Sequence, residues 1–121
     1  MKKRKENSKE DNLNNFAAQF KRSTVPLLVL RLLSEREMYA YEIVQEMLSR
    51  SEGVYKMPLL YNVLTKLEEQ GYVKNSRQEI SEGNRIRVYY AITDNGLAYL
   101  SELKALYSQL SEKVAHIVYE S

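Results

Sequence analysis

Apolar residues recur along this chain with two different periods, and the change of period marks out its elements. Leu13, Phe16, Ala17 and Phe20 stand at i, i+3, i+4 and i+7, the stripe of a short helix. Ahead of them, residues 1–12 carry no apolar periodicity, which predicts a disordered arm. Ser23 or Thr24 suits the cap of a new helix over Val25 to Leu33, with Pro26 in a first turn that needs no N–H donor. A polar break at Ser34–Glu37 follows. Tyr41, Ile43, Val44, Met47 and Leu48 then predict a second amphipathic helix, closed by Gly53. Pro58 opens a third, with Leu60, Val63, Leu64 and Leu67 on one face and Gly71 as the residue that stops it.

Beyond Gly71 the period becomes two. Ile86, Val88, Tyr90 and Ile92 alternate with Arg85, Arg87, Tyr89 and Ala91, as in a strand with one buried face. Tyr72 to Ile80 fits a strand less well, and Ser81, Glu82, Gly83 and Asn84 supply a turn between the two, so the segment reads as a β-hairpin. Thr93 caps a last helix in which Leu100, Leu103, Tyr107, Leu110, Val114 and Ile117 form a seam spaced alternately by three and four. The fold class is α+β and mainly helical: a winged helix-turn-helix domain with a short N-terminal helix and a long C-terminal dimerisation helix. The boundaries expected are 1–12 for the arm, 13–95 for the domain and 96–121 for the dimerisation helix.

Composition narrows the chemistry. At 121 residues the chain is the size of one domain, and its formal charge of +2 hints only weakly at an anionic partner. Distribution says more: five of the first nine residues are basic, whereas Glu35–Glu52 carries five acids against Arg36 and Arg50. The basic arm could grip a minor groove or serve as a solubilising tail. With no cysteine and one histidine, His116, thiolate sites, a zinc centre and a Ser-His-Asp triad have no candidates, so neither an enzyme nor a cofactor is expected. No run approaches the roughly 20 apolar residues of a membrane span, and a cytoplasmic protein without membrane contact is expected.

Three helices, a ribbon and a further helix place the third helix in a major groove and the hairpin over adjacent backbone. That order makes double-stranded DNA the expected partner. Asn62 and Thr65 could bond base edges, while Tyr61, Lys56 and Lys66 could reach phosphate. Arg85 and Arg87 suit phosphate or a narrow minor groove; equally, arginines on a hairpin can simply solvate its edge.

These residues carry a resemblance to the PadR family of bacterial transcriptional regulators over Leu27 to Leu100. Leu60, Tyr61, Val63, Leu64, Leu67, Glu68, Gly71 and Tyr72-Val73 resemble its recognition-helix pattern. Gly83, Arg85, Arg87, Tyr89, Tyr90, Ile92, Thr93, Asp94 and Gly96 resemble its wing, and Tyr39 to Ile43 its second helix. The resemblance implies a winged-helix repressor, a C-terminal helical dimerisation element of the small class, and release by a small aromatic or drug-like effector. It also implies a DNA contact for Tyr41, Tyr61, Arg85 and Arg87. Ala40 departs from the customary glycine, and Pro58 and Leu59 from small polar residues, so base contacts at the front of the third helix do not carry over.

The seam Leu100, Leu103, Tyr107, Leu110, Val114 and Ile117 predicts a two-fold homodimer, with Leu13–Phe20 joining it; the alternative folds the helix back on its own domain. Tyr107 is the candidate effector contact, against a reading as plain interface packing. A second functional class also fits the shape: a winged-helix module that binds protein rather than DNA.

Overall fold

The computed structural model describes residues 2–57 and 59–120, with side chains from residue 8 onward. In chain order it runs α1 (Lys2–Glu35), β1 (Met38–Tyr39), α2 (Ala40–Arg50), α3 (Leu60–Glu69), β2 (Val73–Ile80), β3 (Ile86–Ile92) and α4 (Asp94–Tyr119). The strands form an antiparallel sheet in the order β1-β3-β2.

Each short helix buries the stripe its spacing lays down. α2 turns Ile43 and Met47 inward, α3 turns Leu60, Leu64 and Leu67, and both meet Val29, Leu30, Leu32 and Leu33 of α1. Met38, Val73, Tyr90 and Leu100 complete the same core. Leu30, Met38, Ile43 and Leu64 are essentially fully buried, each contributing about 1.5–3 kcal/mol over an exposed position. Among the described residues the only buried side chains that carry a hydroxyl, amide or charge are those of Tyr89 and Tyr90. Local signals set several ends: Gly71 takes φ +84° after α3, and the Thr93 hydroxyl accepts from the Gly96 N–H at 3.0 Å to cap α4.

The N-terminal third differs from the sequence expectation. Residues 2–12, expected as a disordered arm, the short helix over 13–20 and the helix expected to start at Ser23 or Thr24 are one continuous helix, α1. Thr24 is not a cap: its hydroxyl donates to the Phe20 carbonyl at 2.9 Å and meets the Tyr55 hydroxyl at 2.5 Å. Pro26 therefore lies inside the helix. Its missing N–H leaves the carbonyl four residues back, at Arg22, without an intrahelical donor, and Arg22 and Ser23 are exposed, so water can take that place. Pro58 and the side chains of the basic residues 2–5 lie outside the described residues.

The ribbon differs too. β1 was not foreseen, because two residues carry no readable period; Met38 pairs with Tyr90 and Tyr39 with Tyr89. A bulge at Ser76 shifts the register between Asn75 and Arg77, and the bulged hydroxyl donates to Glu37 at 2.7 Å. The expected alternation of one buried and one exposed face in β3 fails at its first residue and at its middle. Ile86 is 66% exposed, whereas Tyr89 is buried, enclosed by the edge of the Tyr39 ring and the Arg77 guanidinium 3.7 Å from its centroid.

α4 begins in the core and leaves it. Leu100, expected in the dimer seam, instead packs into the core of its own domain and is 5% exposed, which leaves it almost no surface for a partner. Leu103 is half-buried, and Tyr107, Leu110, Val114 and Ile117 are exposed. α4 packs against α1, whose Leu13, Phe16 and Phe20 are exposed as well.

Candidate nucleic-acid interface

β1 pairs with β3 only at Tyr89 and Tyr90, which leaves the outer half of β3 with an open edge. That edge, the start of α2 and the first turn of α3 enclose a groove of about 490 Å³. Tyr41, Tyr61, Arg85 and Arg87 line it together with Tyr39 and Ser81, and no carboxylate is among the described lining residues. Four residues chosen from three separated stretches of sequence thus converge on one surface.

Their supports are physical and local. Asn84 at φ +62° and Gly83 at φ +86° turn the hairpin tip, and the Ser81 N–H donates to the Arg85 carbonyl at 2.8 Å, which fixes where Arg85 leaves the wing. The Arg87 guanidinium lies 4.7 Å from the centroid of the Tyr39 ring, and Tyr39 stacks at 6.4 Å on Tyr41, so a cation and two aromatic rings form one wall. At the base, burial pushes the Tyr90 hydroxyl up from its ordinary pKa, with Glu68 and Tyr61 adding to it, so it stays a neutral donor. Tyr41 and Tyr61 are about two-thirds exposed, open to a ligand the size of a duplex.

The other predicted contacts separate from this group. Lys56, Asn62 and Lys66 line a second groove, between α3 and α1, and Thr65 stands exposed on α3 and lines neither. Tyr39, Ser81 and Tyr90 in the first groove were missed as candidates. Tyr39 reads as a helix-entry residue and Tyr90 as a strand residue, and only the pairing of β1 with β3 brings them together in the groove.

Charge is partitioned around the site. Arg31, Arg36, Arg50 and Arg77 are each paired with glutamates; Arg50 bonds Glu35 through two nitrogens at 2.7 and 2.8 Å and Glu46 at 2.9 Å. These pairs hold the Glu35 and Glu37 carboxyls below their usual range, chiefly through hydrogen bonds from Arg50 and from Arg77 respectively. Among the described residues Arg85, Arg87, Lys56 and Lys66 form no ion pair within 4 Å, although Glu79, already bonded to Arg77, stands opposite Arg87 across the ribbon. The ion-paired arginines line neither groove, whereas Arg22, Arg85 and Arg87, which do, form no ion pair among the described residues.

The sequence profile of the transcriptional regulator PadR-like family matches residues 29–102. The chain belongs to this family. A PadR family transcriptional regulator from Eggerthella lenta has a similar fold, with a TM-score of 0.74, 28% identity, and coverage of 93% of both chains. A transcriptional regulator from Clostridium thermocellum superposes with a TM-score of 0.70 at 30% identity, over 84% of this chain and 99% of the other. An uncharacterized protein of Lysinibacillus sphaericus is 37% identical over 87 residues, 70% of this chain and 79% of its own length. The PadR assignment accounts for the winged helix and makes DNA-binding transcriptional regulation the coarse function. No helix among the described residues is long and apolar enough to cross a membrane, and no described cluster of ligating side chains could hold a metal ion.

Proposed function

We propose that this PadR-family chain is a sequence-specific repressor that binds a palindromic operator as a homodimer. The observation that carries the reading is the acid-free groove in which Tyr41, Tyr61, Arg85 and Arg87 converge beside the first turn of α3. α3 is the element that enters the major groove, presenting Asn62 and Thr65 to base edges, while the wing arginines take phosphate or the adjacent minor groove. Lys56 and Lys66 extend the positive surface along the far flank of α3.

The dimer uses the part of α4 that leaves the core. Leu103, Tyr107, Leu110, Val114 and Ile117 meet their copies about a two-fold axis, and Leu13, Phe16 and Phe20 of α1 widen the contact. Two recognition helices so related address half-sites about 34 Å apart, one turn of duplex. Tyr107, the aromatic member of this strip and 44% exposed, is the residue a planar effector would stack on to release DNA.

The test is a titration of the chain against the upstream region of its own gene and against an unrelated duplex, at two salt concentrations. Tight, salt-sensitive binding that prefers the upstream region is the expected result. Binding to neither duplex would favour the alternative class, a winged-helix module that docks on protein.

A further inference from the structure

The groove between α1 and α3 is chemically unlike the one beside the wing. It encloses about 630 Å³, within the roughly 300–1,000 Å³ typical of small-molecule sites. Its floor is apolar: Val25 and Pro26 from α1, Met57 and Leu59 from the segment ahead of α3, Val63 from α3 itself. Tyr99 lines it as well, held by face-to-face stacking on Tyr72 with centroids 4.2 Å apart and planes 2° from parallel. Around this floor stand Lys21, Arg22, Lys56 and Lys66. None of the four has a carboxylate partner among the described residues, and no carboxylate is among the described residues lining the groove.

An apolar floor ringed by unpaired cations is complementary to one kind of molecule. We propose that this groove binds an amphipathic organic anion, its apolar body on Val25, Pro26, Val63 and Tyr99 and its charged head among Lys21, Arg22, Lys56 and Lys66. A purely polar anion would leave the floor wet; a neutral apolar molecule would leave four cations unanswered and desolvated at the rim. The position gives the site a consequence, which rests on the DNA reading above. Lys56, Asn62 and Lys66 belong at once to this groove and to the outer flank of the recognition helix. An anion held there neutralises cations that duplex phosphates would otherwise take, so ligand and DNA compete for the same side chains. The site is separate from the α4 strip and does not include Tyr107.

The probe is 8-anilinonaphthalene-1-sulfonate, with its uncharged relative N-phenyl-1-naphthylamine as the control for the sulfonate. The full chain takes up one sulfonate molecule per protomer, and the uncharged relative binds at least about tenfold more weakly, the scale of one charge-assisted contact. Two variants report on the groove without touching the core. Lys21→Ala with Arg22→Ala weakens the sulfonate by about tenfold or more, and Ala18→Trp, from an exposed position at the groove's edge, fills it and abolishes uptake. Both variants keep DNA affinity near wild type, and the sulfonate displaces operator DNA from the unmodified chain but not from Ala18→Trp.

Equal binding of the charged and uncharged probes, or uptake indifferent to both variants, would overturn the site. If Ala18→Trp dissociates the dimer and no probe binds at any dilution, the occupant is a second copy of the chain and the proposal is wrong. If the probe binds as stated but leaves bound DNA in place, the competition is overturned while the site stands. Failure of the unmodified chain to bind DNA would strike the DNA reading alone, since the probe arms do not depend on it.

Discussion

Gly96 is the residue whose side chain the fold leaves no room for. A Cβ built there would overlap the Tyr72 carbonyl oxygen and crowd Ile92, because the first turn of α4 lies directly on the end of β3. The Tyr72 carbonyl already accepts from the Thr93 N–H at 3.0 Å, so it cannot retreat without losing that bond. Gly96→Ala should therefore destabilise by about 1–3 kcal/mol as an overpacked site, read as a lower urea midpoint with an unchanged slope. An unchanged midpoint would mean that α4 can pivot on its cap. Gly71 and Thr93 were legible in the sequence because their work is local: a left-handed turn and a hydroxyl three residues from its donor. Leu100 was misread for the opposite reason. Its spacing fits the α4 seam, and only the tertiary contact with the domain core takes it out of that seam. Lys21 and Arg22 gave no signal at all, since nothing in their own stretch shows that α3 comes alongside.

The wing is an element held by few ties, and one of them titrates. Glu37, in the turn before β1, accepts from Arg77 and from the bulged Ser76, and those hydrogen bonds lower its pKa against a smaller opposing effect of burial. A carboxyl depressed in the folded state contributes stability that is present above its unfolded pKa and disappears as pH falls through its folded one. Glu37→Gln should accordingly lower the melting temperature at neutral pH, and the gap to the unmodified chain should close as the solution is acidified below the ordinary carboxylate range. A gap independent of pH would mean that the pair with Arg77 does not stabilise the fold. Function enters at the tip of the same element. Removing one phosphate contact lowers the slope of log K against log salt by about 0.9, the change expected for Arg85→Ala. Arg87→Ala should cost affinity as well and also release the Tyr39 ring it covers. Slopes unchanged in both would leave the wing a solvated edge. The alternation in β3 announced a ribbon, yet the bulge at Ser76 and the Tyr-Arg layer over its second face were invisible. A bulge leaves no period, and a cation-π contact depends on two strands that the sequence does not pair. Convergence of Tyr41, Tyr61, Arg85 and Arg87 was legible only through the order of elements, which fixes that wing and third helix share a side.

At the scale of the whole molecule the governing question is what covers the outer half of α4. Between Leu106 and Tyr119 it exposes two leucines, two valines, one isoleucine and two tyrosines, and the exposed Leu13, Phe16 and Phe20 lie on α1, which packs against it. An unpaired surface of that kind is costly in water, and no further element among the described residues lies over it. In the proposed dimer a second copy supplies the missing cover and at the same time sets two α3 helices at a fixed separation. The second half-site then binds intramolecularly, with an effective concentration that multiplies affinity by about 10²–10⁴. Placing carboxylates in the strip, as in Leu110→Glu with Val114→Glu, brings like charges face to face across the two-fold axis while leaving the core untouched. The double variant should sediment as a folded monomer, bind one half-site with unaltered salt dependence per phosphate, and lose about 10²-fold or more in affinity for the full palindrome. A variant that stays dimeric would move the interface off α4. A monomer that still binds the palindrome as tightly as the unmodified chain would show that one wing and one recognition helix suffice, and the two-fold operator would have to be given up.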